Sequence, residues 1–148
     1  MTALLDVRDL TIGFGTSAPV VDRVSFSVNA GETLALVGES GSGKTLTCRS
    51  VLRILPDAAQ MRGGSIQFAG KSSAQGGGTA GPVNLTGLPE KAMRDIRGNL
   101  ISMIFQEPMR SLSPLHRLGG QVAEVLRLHR DMGRNEAKRA VLEQFDKV

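Results

Sequence analysis

Residues 38–45 read Gly-Glu-Ser-Gly-Ser-Gly-Lys-Thr and constrain the fold more than any other segment. They satisfy the phosphate-loop pattern G-x-x-x-x-G-K-[ST]. The apolar run 33–37 before the loop predicts a strand buried on both faces. After the loop, apolar residues at helical spacing predict a helix that ends before Pro56; they are Cys48, Val51, Leu52 and Leu55. Strand, glycine-rich turn and helix together predict a phosphate site rather than a surface turn.

Each part of this loop has a predicted chemical role. Glycines let backbone N–H groups turn towards phosphate oxygens, and the helix that begins near Lys44 directs its positive dipole end at the same anion. The Lys44 ammonium would contact the β- and γ-phosphates, and the Thr45 hydroxyl would ligate Mg²⁺. The predicted nucleotide-binding residues here are Gly38, Glu39, Ser40, Gly41, Ser42, Gly43, Lys44, Thr45 and Leu46.

Composition argues against several other classes of protein. The net charge is only +4, and the aromatic residues are five Phe, so a stacking platform for nucleic acid is not expected. The single Cys48 cannot form an internal disulfide and is predicted to be a small buried residue of the helix. We expect no signal peptide, and no apolar run approaches the roughly 18–20 residues that span a bilayer.

Alternating and turn-forming residues predict the rest of the first half of an α/β fold. Residues 4–14 predict a strand with a bulge or break near Asp9, where the alternation changes phase. Residues 24–28 predict a second, antiparallel strand, followed by a turn at Gly31. A third short strand is predicted at 65–68. Two antiparallel strands therefore precede the phosphate loop.

Helices dominate the prediction for the second half. A helix is predicted at 89–97 with Gly98 as its stop, and a buried strand at 99–105. Amphipathic helices follow from Leu118 onwards, and Asn135 is predicted to cap the last of them.

Two residues outside the loop have alternative interpretations. Phe14 follows the first strand and could be ordinary core or could stack on a purine ring. Gln106 follows the predicted strand 99–105, and ligands of open α/β sheets lie beyond the carboxyl ends of strands. Its amide could be a plain loop group, or it could complete a Mg²⁺ shell or orient a water molecule.

Several segments together resemble an ABC transporter nucleotide-binding domain, and more narrowly the ATP-binding subunits of bacterial oligopeptide and dipeptide importers. The resemblance covers nearly the whole chain except residues 71–81, a flexible, glycine-rich loop that reads as an insertion. Small departures are Thr45, where the group often has Ser, and Ser113, where it often has Asn. The matching segments are 7–11, 24–26, 31–33, 38–45, 96–98, 101–109 and 111–114.

The resemblance implies roles, partners and a location. Phe14 would stack on adenine, while Lys44 and Gln106 would belong to an incomplete catalytic set, with Thr45 and Gln106 on Mg²⁺. Transmembrane permease subunits would contact the loop around Gln106 and the helical region. A second ATP-binding subunit would complete a homo- or heterodimer, at the cytoplasmic, inner face of the cell membrane. No nucleic-acid partner is implied.

The predicted fold is a phosphate-loop ATPase core of the ABC type over residues 1–108, with the start of a helical subdomain at 109–148. Residues 118–121 only imitate the family's signature loop, and neither an apolar strand ending in Asp-Glu nor a later switch histidine follows. The sequence is therefore interpreted as an N-terminal portion that binds ATP–Mg²⁺ without turning it over alone. The alternatives are a non-hydrolysing nucleotide-binding fragment, or another phosphate-loop NTPase or kinase with Glu107 as its acid.

Overall fold

The computed structural model describes residues 3–70, 81–130 and 132–147. It divides into two compact units, Met1–Arg94 and Asp95–Val148. The first contains the sheet and the phosphate loop, and the second is mainly helical. The domain boundary predicted after residue 108 stays a prediction. The loop predicted at 71–81 lies, apart from Gly81, outside the described residues.

The sheet of the first unit is antiparallel, in the order β2-β1-β3-β4. Its centre is β1, where Val7 pairs with Phe26 on one side and with Ile66 on the other. The two antiparallel strands predicted before the phosphate loop are confirmed, as is the turn at Gly31, which has φ +77°. The strands are β1 (Leu5–Phe14), β2 (Val21–Val28), β3 (Ala59–Phe68) and β4 (Val83–Asn84).

The predicted bulge in β1 is also confirmed. Asp9 has φ +47°, and the register of β1 shifts there against both neighbouring strands. An added residue restores the phase of the alternation, so that Val7 before the bulge and Leu10 and Ile12 after it are all completely buried. These three side chains form the centre of the core in this unit.

Among the described residues, four α-helices lie where the sequence predicts helices, and Gly98, with φ +77°, follows the second. The predicted cap of the last helix is wrong: Gly133 is the N-cap, and no side chain caps the helix. The helix begins directly after this glycine, which leaves Asn135 inside the first turn. The helices are α1 (Lys44–Val51), α2 (Glu90–Ile96), α3 (Leu118–Arg130) and α4 (Arg134–Phe145); 3₁₀ helices occupy Leu85–Gly87 and Pro108–Ser111.

The buried face of α1 differs from the predicted one. Cys48 is exposed, whereas Thr47, Ser50 and Val51 are buried. Burial of the two hydroxyls is possible because each bonds within the helix: Thr47 Oγ1 donates to the Gly43 carbonyl at 3.0 Å, and Ser50 Oγ donates to the Thr47 carbonyl at 2.6 Å.

The strands predicted at 33–37 and 99–105 are wrong, because neither segment forms a strand. Residues 33–37 are exposed throughout, and Val37 and Ile104 are 93% and 90% exposed. A strand buried on both faces needs hydrogen-bonded neighbours for its backbone. Within the described parts of the chain, β1 to β4 pair only with one another, and Ile101 of the second run forms an isolated bridge with Arg97 rather than taking a place in the sheet.

We predict that the 148-residue chain self-associates through these two runs, because exposed apolar segments are sites of association with other chains. Ile104→Lys should lower the light scattering of the chain at a given concentration. Leu115→Lys is the matched control, since Leu115 is 89% exposed but lies outside both runs. An equal decrease in both variants would show that general surface hydrophobicity, not these runs, drives association.

Candidate functional site

The phosphate loop enters α1 through a glycine with a left-handed backbone. Gly43 is the N-cap of the helix, with φ 86° and ψ 1°. A Cβ at this position would lie 2.7 Å from Val21 Cγ2 and 3.1 Å from the Val20 carbonyl oxygen. Glycine is therefore required both by the backbone angle and by the close approach of the start of β2.

The Lys44 ammonium lies inside the loop that precedes it. It donates to the carbonyls of Gly38 and Glu39 at 2.7 and 2.5 Å, and it lies 3.2 Å from Ser42 Oγ. A lysine ammonium has three donors, so these three oxygens match its full capacity. The side chain thereby holds the loop in a curve around a positive charge.

The first turn of α1 supplies backbone donors at the end of the helix where Lys44 lies. The first hydrogen bond of α1 runs from the Thr47 N–H to the Gly43 carbonyl at 2.8 Å. The N–H groups of Lys44, Thr45 and Leu46 precede that bond, so the helix itself supplies no acceptor for them. They add to the positive end of the helix dipole, and this combination binds phosphate oxygens in proteins.

The structure brings all the predicted residues of the loop together at the amino end of α1. Residues 38–42 and Thr45 are exposed, Lys44 and Leu46 are partly exposed, and Gly43 is buried against the sheet. Thr45 as a residue is thus accessible from solvent, as a metal ligand at this point needs to be.

Phe14 lies in the same unit, at the last position of β1, and is 36% exposed. It is therefore not a fully buried core residue. The connection that follows it returns along β1, where the Val20 N–H donates to the Ile12 carbonyl at 2.9 Å. Val20 also lies against Gly43, so a single short connection joins Phe14 to the phosphate loop.

Sequence reasoning missed one residue at this end of the sheet. The Arg62 guanidinium donates to the carbonyls of Phe14, Gly15 and Ser17. Arg62 and Phe14 are 48 positions apart, and no local pattern links them. The strand predicted at 65–68 starts too late to include Arg62, because β3 begins at Ala59 and the Gly63-Gly64 pair lies inside it.

Gln106 lies in the second unit, and the phosphate loop lies in the first. Gln106 is exposed in a bend, followed by the 3₁₀ helix Pro108–Ser111. Gln121 binds the stretch of chain that leads into α3. Its amide oxygen accepts from the Ser113 N–H at 2.8 Å, and its amide nitrogen donates to the Ser113 and His116 carbonyls at 3.0 Å. The imitation of the signature loop at 118–121 is thus the first turn of α3.

Comparison with known proteins agrees with this geometry. The family model described as ABC transporter matches residues 21–147. The chain belongs to the ABC transporter family. Membership of this family implies that the chain binds a nucleotide.

Named relatives in the family include transport ATP-binding proteins. The chain is 46% identical to the peptidoglycan transport ATP-binding protein YejF of Agrobacterium fabrum and 46% identical to the ABC transporter ATP-binding protein YejF of Escherichia coli. It is 38% identical to the oligopeptide transport ATP-binding protein OppD of Bacillus subtilis. The alignments cover 95%, 98% and 100% of this chain but only 24%, 26% and 39% of those relatives.

In the described part of the chain, none of the helices has the length and apolar character needed to cross a membrane.

We predict that Lys44→Ala weakens ATP binding by about 2–3 kcal/mol, the contribution of charge-assisted hydrogen bonds. Titration of the full-length protein with a fluorescent ATP analogue measures this loss. Lys91→Ala is the control, because Lys91 is an exposed lysine of the same unit outside the loop. Equal affinities of the wild type and Lys44→Ala would show that the loop does not bind the nucleotide.

We further predict that Gly43→Ala lowers the free energy of unfolding more than Gly41→Ala does. Both glycines have positive φ, 86° and 84°, so both variants carry similar backbone strain. Only the Cβ at position 43 would meet neighbouring atoms, since that at position 41 has open space. The difference should be about 1–3 kcal/mol, as for overpacked sites. Denaturant unfolding measures it, and equal losses would contradict the close packing at Gly43.

Proposed function

We propose that this chain is the ATP-binding part of an ABC importer subunit, and that it holds the triphosphate at residues 38–46. The observation that carries the proposal is the Lys44 ammonium enclosed by loop oxygens at the amino end of α1. The oxygens of a triphosphate would take the place of loop oxygens as acceptors for this ammonium, while the N–H groups of the first helical turn would donate to the same anion. The loop provides the cation and the backbone donors in one place.

Phe14 would contribute the contact with the base. Its ring is partly exposed at the end of β1, and the connection that follows it runs back to Gly43. Stacking on an aromatic ring is favourable for any base, so this contact adds affinity while the phosphate loop fixes the position of the nucleotide.

The Thr45 hydroxyl has an oxygen that suits a magnesium ion, and the Gln106 amide oxygen is of a kind that suits the same hard cation. The described residues contain no group of three or more His, Cys, Asp or Glu that could hold a metal ion. We propose that Mg²⁺ is held together with the phosphates, with Thr45 as the ligand from the loop. When bound, the metal would neutralise charge on the phosphate oxygens.

At the level of the whole protein, we propose that ATP binding and hydrolysis drive import, with peptides as the cargo. Relatives named for oligopeptide and peptidoglycan transport support this class of solute. ATP-binding subunits of importers generally work with transmembrane permeases, which would hold this subunit at the inner face of the membrane through the Gln106 loop and the helices after it. A second ATP-binding subunit, identical or different, would complete the motor.

Membership of the family weighs against the alternative interpretation, a separate phosphate-loop kinase with Glu107 as its acid.

We predict that Phe14→Ala weakens ATP binding by ~1–3 kcal/mol, the range for base–aromatic stacking. The affinity for tripolyphosphate, which has no base, should stay unchanged. Phe14→Trp should preserve stacking, and because the 148 residues contain no Trp, its fluorescence should report ATP binding at a known position.

Phe26→Ala is the control for this prediction. Phe26 is partly buried on β2, in the same sheet, so its loss should lower stability without a selective defect towards ATP. If Phe14→Ala lowered stability in the same way and left the ratio of ATP to tripolyphosphate affinity unchanged, Phe14 would be a packing residue.

A further inference from the structure

A single guanidinium holds the turn that follows β1. Arg62 Nη1 donates to the Ser17 carbonyl at 2.6 Å, and Nη2 donates to the Gly15 carbonyl at 2.7 Å and to the Phe14 carbonyl at 3.1 Å. The turn is closed by one further bond, from the Ser17 N–H to the Phe14 carbonyl at 3.1 Å. The guanidinium also lies against Gly13, where a Cβ would be 2.5 Å from Arg62 Cζ.

The side chain reaches this turn because of an irregularity in β3. Thr11 pairs with Gly63 and Ile12 pairs with Met61, which leaves Arg62 as an extra residue between the two pairs. Such bulges redirect a side chain relative to a regular strand. The bulge therefore accounts for an arginine of β3 that points along the sheet to the end of β1.

Without Arg62, few bonds would hold the backbone around the Phe14 ring. Phe14 pairs with Ala59 on β3, but pairing with β2 stops at Ile12, which is opposite Val21. The turn after Phe14 thus lies beyond the end of the β1–β2 pairing. Among the described residues, the hydrogen bonds of the Arg62 side chain all go to this turn.

We propose that Arg62 is a positioning residue for base binding: by fixing the backbone of residues 14–17, it holds the Phe14 ring in place before the nucleotide arrives. This inference rests on the proposed stacking role of Phe14. Its physical basis is preorganisation, because a ring that is already ordered loses less conformational freedom on binding. Arg62 itself contacts the turn, and its effect on the nucleotide passes through Phe14.

The test compares ATP with tripolyphosphate, both with magnesium, in the full-length protein. Arg62→Met should lower the affinity for ATP about three- to tenfold, the range expected for the ordering of one side chain. It should leave the affinity for tripolyphosphate unchanged. Arg62→Lys should lie between the wild type and Arg62→Met, because an ammonium can bond to some of the carbonyls. In the Phe14→Ala background, Arg62→Met should have no further effect on ATP.

Arg8→Met is the matched control. Arg8 lies on the adjacent strand β1, is exposed, and pairs with Asp6 at 2.8 Å. The variant removes the same charge from the same sheet without touching the turn, so neither affinity should change. If Arg62→Met proves too unstable to titrate, Arg62→Lys takes its place in the test. This variant should weaken ATP binding, and it should have no such effect in the Phe14→Ala background.

The outcomes separate this inference from the proposed function. If Phe14→Ala binds ATP normally, the stacking role is wrong and the positioning role falls with it. If Phe14→Ala weakens ATP but the Arg62 variants do not, only the positioning role is wrong. Equal weakening of tripolyphosphate, or an undiminished effect in the Phe14→Ala background, would show that Arg62 acts through its charge or the general fold, and would also overturn the inference.

Discussion

The close contact between Gly43 and the start of β2 connects the sheet to the phosphate loop. Val20 and Val21 are fixed against β1 by the Val20 N–H bond to Ile12 and by the pairing of Val21 with the same residue. Because Gly43 packs directly on them, the sheet determines where α1 begins. The positions of Lys44 and of the N–H groups of the first helical turn follow from that start. The candidate site is thus placed by the close contact of Gly43 with Val20 and Val21, which only a glycine permits.

Local signals predicted the parts of the fold that depend on local interactions. The turn at Gly31, the bulge at Asp9 and the start of α1 were all correctly expected, since each follows from a few adjacent residues. The runs 33–37 and 99–105 have the composition of buried strands but do not form them. Strand formation depends on neighbouring strands from elsewhere in the chain. The composition of a segment shows only that it could pack in a sheet, and does not show that a partner strand is there.

The candidate site shows the same limit at the level of single side chains. The loop around Lys44 could be predicted because its spacing is fixed by the chemistry of phosphate binding. Arg62 could not, since it reaches Phe14 through a bulge in β3 and across 48 positions of sequence. Cys48 was placed in the core because a helical apolar pattern takes no account of Thr47 and Ser50, which satisfy their hydroxyls within the helix and replace it there.

The way in which the cations are held distinguishes Lys44 from Arg8 and Arg23 as a position for an anion. Arg8 and Arg23 each have a carboxylate partner, Asp6 and Asp22, and so carry little net charge as pairs. The oxygens around Lys44 belong to carbonyls and a hydroxyl, which are neutral dipoles. Dipoles stabilise the ammonium without cancelling its charge, so the field it adds to the amino end of α1 remains available to a polyanion. Each phosphate oxygen that approaches would also meet N–H groups that the helix leaves without an intrahelical acceptor. Charge and donors would therefore act on the same ligand atoms, which a carboxylate-paired lysine at this position would not achieve.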